Sequence, residues 1–494
     1  MLERLQPTEC QSANGAQIDG ERGAWPRARR PLGREAASMP IKKWDFGGAR
    51  GKEWCTARKS QPSALAIAFL LVVVAHLGAQ DVRRAGRLDT LVTASDDTTQ
   101  HYAVYLPSTY DAKRRWPILF VLDARGRARE ALALFRDGAE RTGTIVMSSY
   151  DSRSDVSDTQ INTRAINAML GSAQDRLSID PHRLYLAGLS GTTRAAIAFA
   201  LELRGTVAGV IGAGAGSGAE ADGLASAAAG DSTFAYVAAA GTDDFNYEEV
   251  RALADRLDAA RVPNRLAVFR GPHEWPPASV CGDALEWLTL RAMRAGLAPK
   301  DSAWIAARLD AELRLAKELE TGGRWDEASR LFFSIARDYS PSPRIEDAAR
   351  RAAAIESREP MRRLRTRMRA LAERSADRGV DVQTALLWYR TGKDAPPASA
   401  LAERLGLATL RQEMSTGDSL EAPAARRMLY RIAALVSSYE PRAYLARGDF
   451  ARAARMLEVA ASIAPLRGEA CAQVAELRRR APIVKSAVLD AQCR

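Results

Sequence analysis

Histidine is scarce in this chain: four among 494 residues, His76, His101, His182 and His273. Any chemistry that needs an imidazole has few candidates. Cysteine is scarce too. Only Cys281, Cys471 and Cys493 lie beyond the apolar run at residues 64–79. No CxxC pair or Cys/His cluster at zinc spacing occurs, which excludes the common structural zinc modules. Cys471 and Cys493 are a pair that an oxidising compartment could join, given a geometry that sequence does not carry. Walker, HExxH and metal-spaced carboxylate motifs are missing as well, so no metal and no cofactor is expected. The run GAGAGSG (212–218) fails the dinucleotide spacing, because Ser217 and Ala219 stand in the third-glycine places and no helix clearly opens there.

The formal net charge is +11. A disproportionate share of it sits in the first 80 residues, leaving the remaining chain only weakly basic. Such a body gives no argument for nucleic acid as a partner. Apolar content of 47% and charged content of 27% are ordinary for a folded protein, and the length suits roughly two to four domains.

Residues 1–62 are rich in Arg, Gly, Pro and Ser and lack a sustained apolar period. Met39 opens a stretch that resembles a normal start, so residues 1–38 read as an upstream extension. Residues 64–79 (ALAIAFLLVVVAHLGA) are short for a spanning helix, which needs ~20 residues. Basic residues precede the run and small residues end it, as in a secretory signal. The expectation is a signal over 63–80 and a secreted or periplasmic protein. The alternative is a membrane anchor left uncleaved at 64–79.

From residue 88 to 297, strand-like and helix-like segments alternate, which predicts a mostly parallel, doubly wound α/β sheet. Strands are expected at 101–106, 117–122, 144–148, 184–187, 207–212, 234–240 and 265–269. Helices are expected at 127–141, 159–177, 193–203, 247–260 and 284–293. From 301 to 494 the strands stop and an all-α region is expected. Gly323-Arg-Trp-Asp-Glu-Ala and Gly448-Asp-Phe-Ala-Arg-Ala each open a helix that ends near a proline. The pattern resembles the tetratricopeptide repeat, against a plain helical bundle as the other reading.

Between the strand at 184–187 and the helix at 193–203 stand Gly188, Leu189, Ser190, Gly191 and Thr192. A strand, a tight glycine-flanked turn with one serine, and a helix lift a hydroxyl clear at the carboxyl end of a sheet. This is the nucleophile elbow GxSxG of α/β-hydrolases, with Thr192 where the last glycine would stand. Ser190 then needs a base and an orienting acid. His76 lies in the apolar run and His101 opens an early strand. His182 precedes Ser190 by eight residues, roughly 26 Å along an extended strand and at the wrong end of it. His273, in the loop GPHEWPP after the last strand, remains. The acid is expected after the preceding strand, in GTDDFNY, at Asp244, with Asp243 as the alternative; both also suit the cap of the following helix. The oxyanion hole would use backbone N–H groups of Gly191 and of Ala124 or Arg125. Trp275 reads equally as a pocket wall or as packing.

VYLPSTY (104–110), PILFVLDARG (117–126), DPHRLYLAGLSG (180–191), GTDDFNY (241–247) and HEWPP (273–277) together resemble the polyhydroxybutyrate depolymerase, feruloyl esterase and dienelactone hydrolase group of α/β-hydrolases. The resemblance implies hydrolysis of a small or polymeric ester through an acyl-enzyme, without a cofactor. A prolyl-oligopeptidase-type peptidase shares the fold and triad. A binding or scaffold protein that meets a protein partner through its helical tail is a third reading. Only about twenty residues separate the strands at 207–212 and 234–240, so no lid is expected over the cleft.

Overall fold

The computed structural model describes residues 85–154, 160–228, 233–342 and 344–493. The expectations for residues 1–62 and 63–80 lie outside them. Eight strands form one sheet: β1 (Leu88–Thr93), β2 (His101–Tyr105), β3 (Trp116–Leu122), β4 (Ile145–Ser149), β5 (Ile179–Leu189), β6 (Val207–Ala213), β7 (Ala235–Gly241) and β8 (Asn264–Phe269). Their order is β1-β2-β4-β3-β5-β6-β7-β8. β2 pairs antiparallel with β1 and β4, and every other pairing is parallel. This is the α/β-hydrolase sheet. Strands β3, β6 and β7 are buried at every position, as their unbroken apolar runs require.

The flanking helices are α1 (Ala128–Thr142), α2 (Ile161–Arg176), α3 (Gly191–Glu202), α4 (Gly218–Ala228), α5 (Tyr247–Ala259) and α6 (Ala278–Arg294). Two elements depart from the sequence reading. β1 is an edge strand with mostly exposed or half-buried residues, so it carries no apolar signature. α4 forms in the Gly/Ala/Ser stretch where no helix was expected: Ser217 Oγ takes the Glu220 N–H, and the Glu220 carboxylate takes the Ser217 N–H.

From Ser302 on, only helices occur among the described residues. Gly323 and Gly448 both adopt left-handed backbone, φ 74° and 76°, at helix–helix corners. The first corner joins α7 (Ser302–Thr321) to α8 (Trp325–Asp338). α9 (Ile345–Ser357) and the 33-residue α10 (Glu359–Thr391) come next, then α11 (Ala398–Arg404), α12 (Leu407–Thr416) and α13 (Glu421–Ala434). The second corner joins α14 (Glu440–Arg447) to α15 (Phe450–Ile463); α16 (Glu469–Arg480) and α17 (Ala487–Gln492) follow. A disulfide links Cys471 to Cys493.

The apolar packing does not break where the strands stop. Leu309, Ala316, Phe332 and Ile335 share one buried cluster with Trp287, Leu288 and the sheet. A second cluster spans Val382 to Cys493.

Candidate active site

The turns after β3, β5, β6, β7 and β8 meet at the carboxyl edge of the sheet, where α/β folds bind their ligands. Ser190 caps α3 with φ 59° and ψ −127°, one of two described non-glycine residues at positive φ. Such backbone is strained for an L-residue and must be held by its surroundings. The Ser190 N–H donates to Ala213 O at 2.8 Å, and the Thr193 N–H to Ser190 O at 3.0 Å. A Cβ at Gly188 would stand 2.5 Å from Thr192 O and Thr193 N, so glycine is required there.

Thr192 sits where the motif has glycine, and its hydroxyl is put to use. Fully buried, it takes the Leu189 N–H at 3.0 Å and lies 2.6 Å from Leu122 O and 2.8 Å from Leu189 O. It therefore ties the elbow to β3, which offsets burying a polar group.

His273 Nδ1 lies 2.8 Å from Asp244 Oδ1, and this carboxylate is fully buried. The Asn246 N–H also reaches Asp244 Oδ1, at 2.8 Å. Phe245 stacks on the imidazole with ring centres 4.1 Å apart. Backbone bonds lace the two turns together, Thr242 N–H to Phe269 O and Asp243 N–H to Gly271 O. Gly241 permits this approach, since a Cβ would meet Gly271 O at 2.2 Å. Gly214, the residue after the acceptor of the Ser190 N–H, packs against both partners: a Cβ there would lie 2.8 Å from His273 Cε1 and 2.9 Å from Asp244 Oδ2. Ser190, His273 and Asp244 are thus gathered at one edge. No hydrogen bond among the described residues joins the Ser190 hydroxyl to His273.

Asp243 points elsewhere, to Arg426 of α13 at 3.0 Å. His101 proves to lie at the same edge as Ser190, because β2 runs antiparallel. The strands β4 and β3 separate it from β5, about 14 Å at the usual strand spacing. His182 is exposed near the start of β5.

Gly191 is the first residue of α3, so its N–H has no partner within the helix. For the second oxyanion donor, the Arg125 N–H is already committed to Asp123 Oδ1 at 2.8 Å. Of the two expected donors, only the Ala124 N–H is not held by Asp123. Asp123 was missed by sequence reasoning. Fully buried, it takes N–H groups from Arg125 and Arg127, the Arg127 guanidinium, and Trp275 Nε1 at 2.8 Å. Burial pushes its carboxyl up, but the bonds from Arg127 and Trp275 outweigh that and hold it below the usual range. One carboxylate therefore fixes the loop after β3 and the loop carrying His273. Trp275 belongs to the core, edge-on to Phe135 at 5.7 Å.

In the glycine run after β6, two N–H groups are taken by carboxylates. The Gly216 N–H goes to Glu249 and the Ser217 N–H to Glu220. No group of three or more metal-ligating side chains occurs among the described residues. A cavity of about 1550 Å³ lies between β8 and helices α7, α8 and α10, lined by Leu266, Val268, Leu315 and Phe333 among others; none of Ser190, Asp244 or His273 borders it.

No protein-family model matches the chain, and no curated protein is similar to it. Among solved structures, the chain is similar to a ferulic acid esterase, at 15% identity over 42% of this chain and 97% of the other, with a TM-score of 0.34. It is similar to fluorophosphonate-binding serine hydrolase F of Staphylococcus aureus, at 15% identity over 42% and 99%, with a TM-score of 0.36. An S-formylglutathione hydrolase of the same organism gives 16% identity over 42% and 98%, with a TM-score of 0.34.

Proposed function

We propose that this chain is a serine hydrolase that cleaves an ester through an acyl-enzyme. The observation that carries the reading is the His273–Asp244 pair, 2.8 Å apart and packed on Gly214 beside the strained Ser190 turn. Ser190 Oγ attacks the acyl carbon, and its proton passes to Nε2 of His273. Asp244 accepts the Nδ1–H, which sets the tautomer and steadies the imidazolium. The carbonyl oxygen gathers charge against the N–H groups of Gly191 and Ala124. Collapse expels the alcohol, which leaves with the proton held by His273. Water then repeats the sequence on the acyl-enzyme, releasing the acid and restoring Ser190.

A fluorophosphonate probe tests this directly. Wild-type protein is expected to be labelled and Ser190→Ala to be silent, with ester turnover reduced about 10⁴-fold or more. Folded wild-type protein that takes no label would refute the reading. Faster turnover of peptide amides than of p-nitrophenyl esters would move it to a peptidase.

We also propose export to an oxidising compartment. The Cys471–Cys493 disulfide and the basic-then-apolar stretch ending near residue 79 support it. No described helix is long and apolar enough to cross a membrane. Fractionation with N-terminal sequencing of the mature protein decides the matter; a cytoplasmic, full-length product would count against export.

A further inference from the structure

The turn that carries the acid is gripped from outside the sheet. α13, nearly two hundred residues further along the chain, lays two consecutive arginines on residues 242–248. Arg426 pairs with Asp243 at 3.0 Å. Arg427 donates to Thr242 O at 3.1 Å and to Glu248 Oε1 at 2.7 Å, and its guanidinium stands 4.5 Å from the Tyr247 ring centre. Its side chain is only 12% exposed, so these contacts are largely shielded from water. Arg251 of α5 adds a further tie, reaching the Tyr247 hydroxyl at 3.3 Å and Asp326 of α8 at 2.8 Å. Asp244 and Phe245, which bond and stack on His273, lie inside the gripped stretch.

We infer that Arg426 and Arg427 are positioning residues, and that the helical C-terminal region is thereby part of the catalytic apparatus. This rests on the triad reading above. An acid that orients an imidazole works only within a narrow geometry, and small displacements are costly. Here the turn is short and its outer residues are half-buried; its backbone bonds run within itself and to the histidine loop, Asn246 ties it to Gly214 O, and the arginine forks of α13 hold it from the other side. A guanidinium suits this task because it binds a carbonyl, a carboxylate and a ring face at once, which an ammonium cannot.

The test uses full-length protein and the rate of fluorophosphonate inactivation at increasing probe concentration, with thermal melting alongside. Arg427→Ala should lower the maximal inactivation rate about tenfold or more, with the half-saturating concentration unchanged. Arg427→Lys should recover part of that rate, because it keeps the charge facing Glu248. Arg426→Ala should cost less, and the exchanged pair Asp243→Arg with Arg426→Asp should regain what the single change loses. Variants that stay folded and react at the wild-type rate would overturn the inference, as would rates that merely follow melting temperature with no rescue by the exchanged pair. Should Arg427→Ala fail to fold, Arg427→Lys and the exchanged pair still decide. A wild-type protein that never reacts would instead overturn the serine-hydrolase reading, and this inference with it.

Discussion

The carboxyl edge of the sheet and the junction with the helical region are held by different forces. At the edge, turns are fixed by backbone hydrogen bonds and by glycines with no room for a side chain, as at Gly188, Gly214 and Gly241. At the junction, arginines meet carboxylates. Arg265 of β8 bonds Glu312 and Asp338 at 2.8 and 2.9 Å, and Trp287 Nε1 shares Asp338. Arg251, Arg330 and Arg365 converge on Asp326. Steric constraint does not depend on pH, whereas ion pairs do. The glycine turns of the edge are therefore indifferent to pH, whereas the ion pairs of the seam weaken once the pH falls below about 4.

The most severe way to break this arrangement is Gly188→Val. Its side chain would enter backbone atoms of Thr192 and Thr193, so we expect a loss of about 3 kcal/mol or more in urea unfolding. Probe labelling at Ser190 should be lost with it. The seam should answer to acid instead. Burial raises the Asp326 carboxyl, but Arg251 foremost, with Arg330 and Arg365, brings it down to about 2 from an ordinary value of 3.8. A depressed folded-state value stabilises above the unfolded one, so the contribution is whole above pH ~4 and fades as pH falls towards ~2. Its size is about 2 kcal/mol. Urea midpoints from pH 5 to pH 2.5 should fall in wild type, and part of that fall should vanish in Asp326→Asn. The smallest effect is expected at the elbow itself: Thr192→Val keeps the shape but orphans the bonds to Leu189 and Leu122, for about 1.5 kcal/mol. A neutral Thr192→Val would show that shape alone matters there.

Much of the sheet half was legible in the sequence because its signals are local. Apolar runs marked β3 and β7, glycines marked the elbow, and four histidines left one at the end of β8. That elimination set His101 aside only because it opens an early strand, yet the antiparallel β2 puts it at the same edge as Ser190, three strand spacings away. The choice between Asp243 and Asp244 rested on one residue of offset, and only the fold separates their partners, Arg426 and His273. α4 escaped notice because Gly, Ala and Ser give no amphipathic contrast. Asp123 escaped because its partners, Arg127 aside, include a tryptophan 152 positions away. Arg426 and Arg427 are two of the three arginines of α13, and nothing local tells a solvated arginine from one that reaches across the chain.

Gly214 gives the histidine its place by subtraction. Its φ of +63° and its bare α-carbon, just past the end of β6, leave the space into which the imidazole leans. His273 is held by its bond to Asp244, yet its room is granted by a missing methyl one residue past β6. The pairing of His273 with Asp244 is thus partly a property of emptiness, since one added carbon at that spot would press on both side chains.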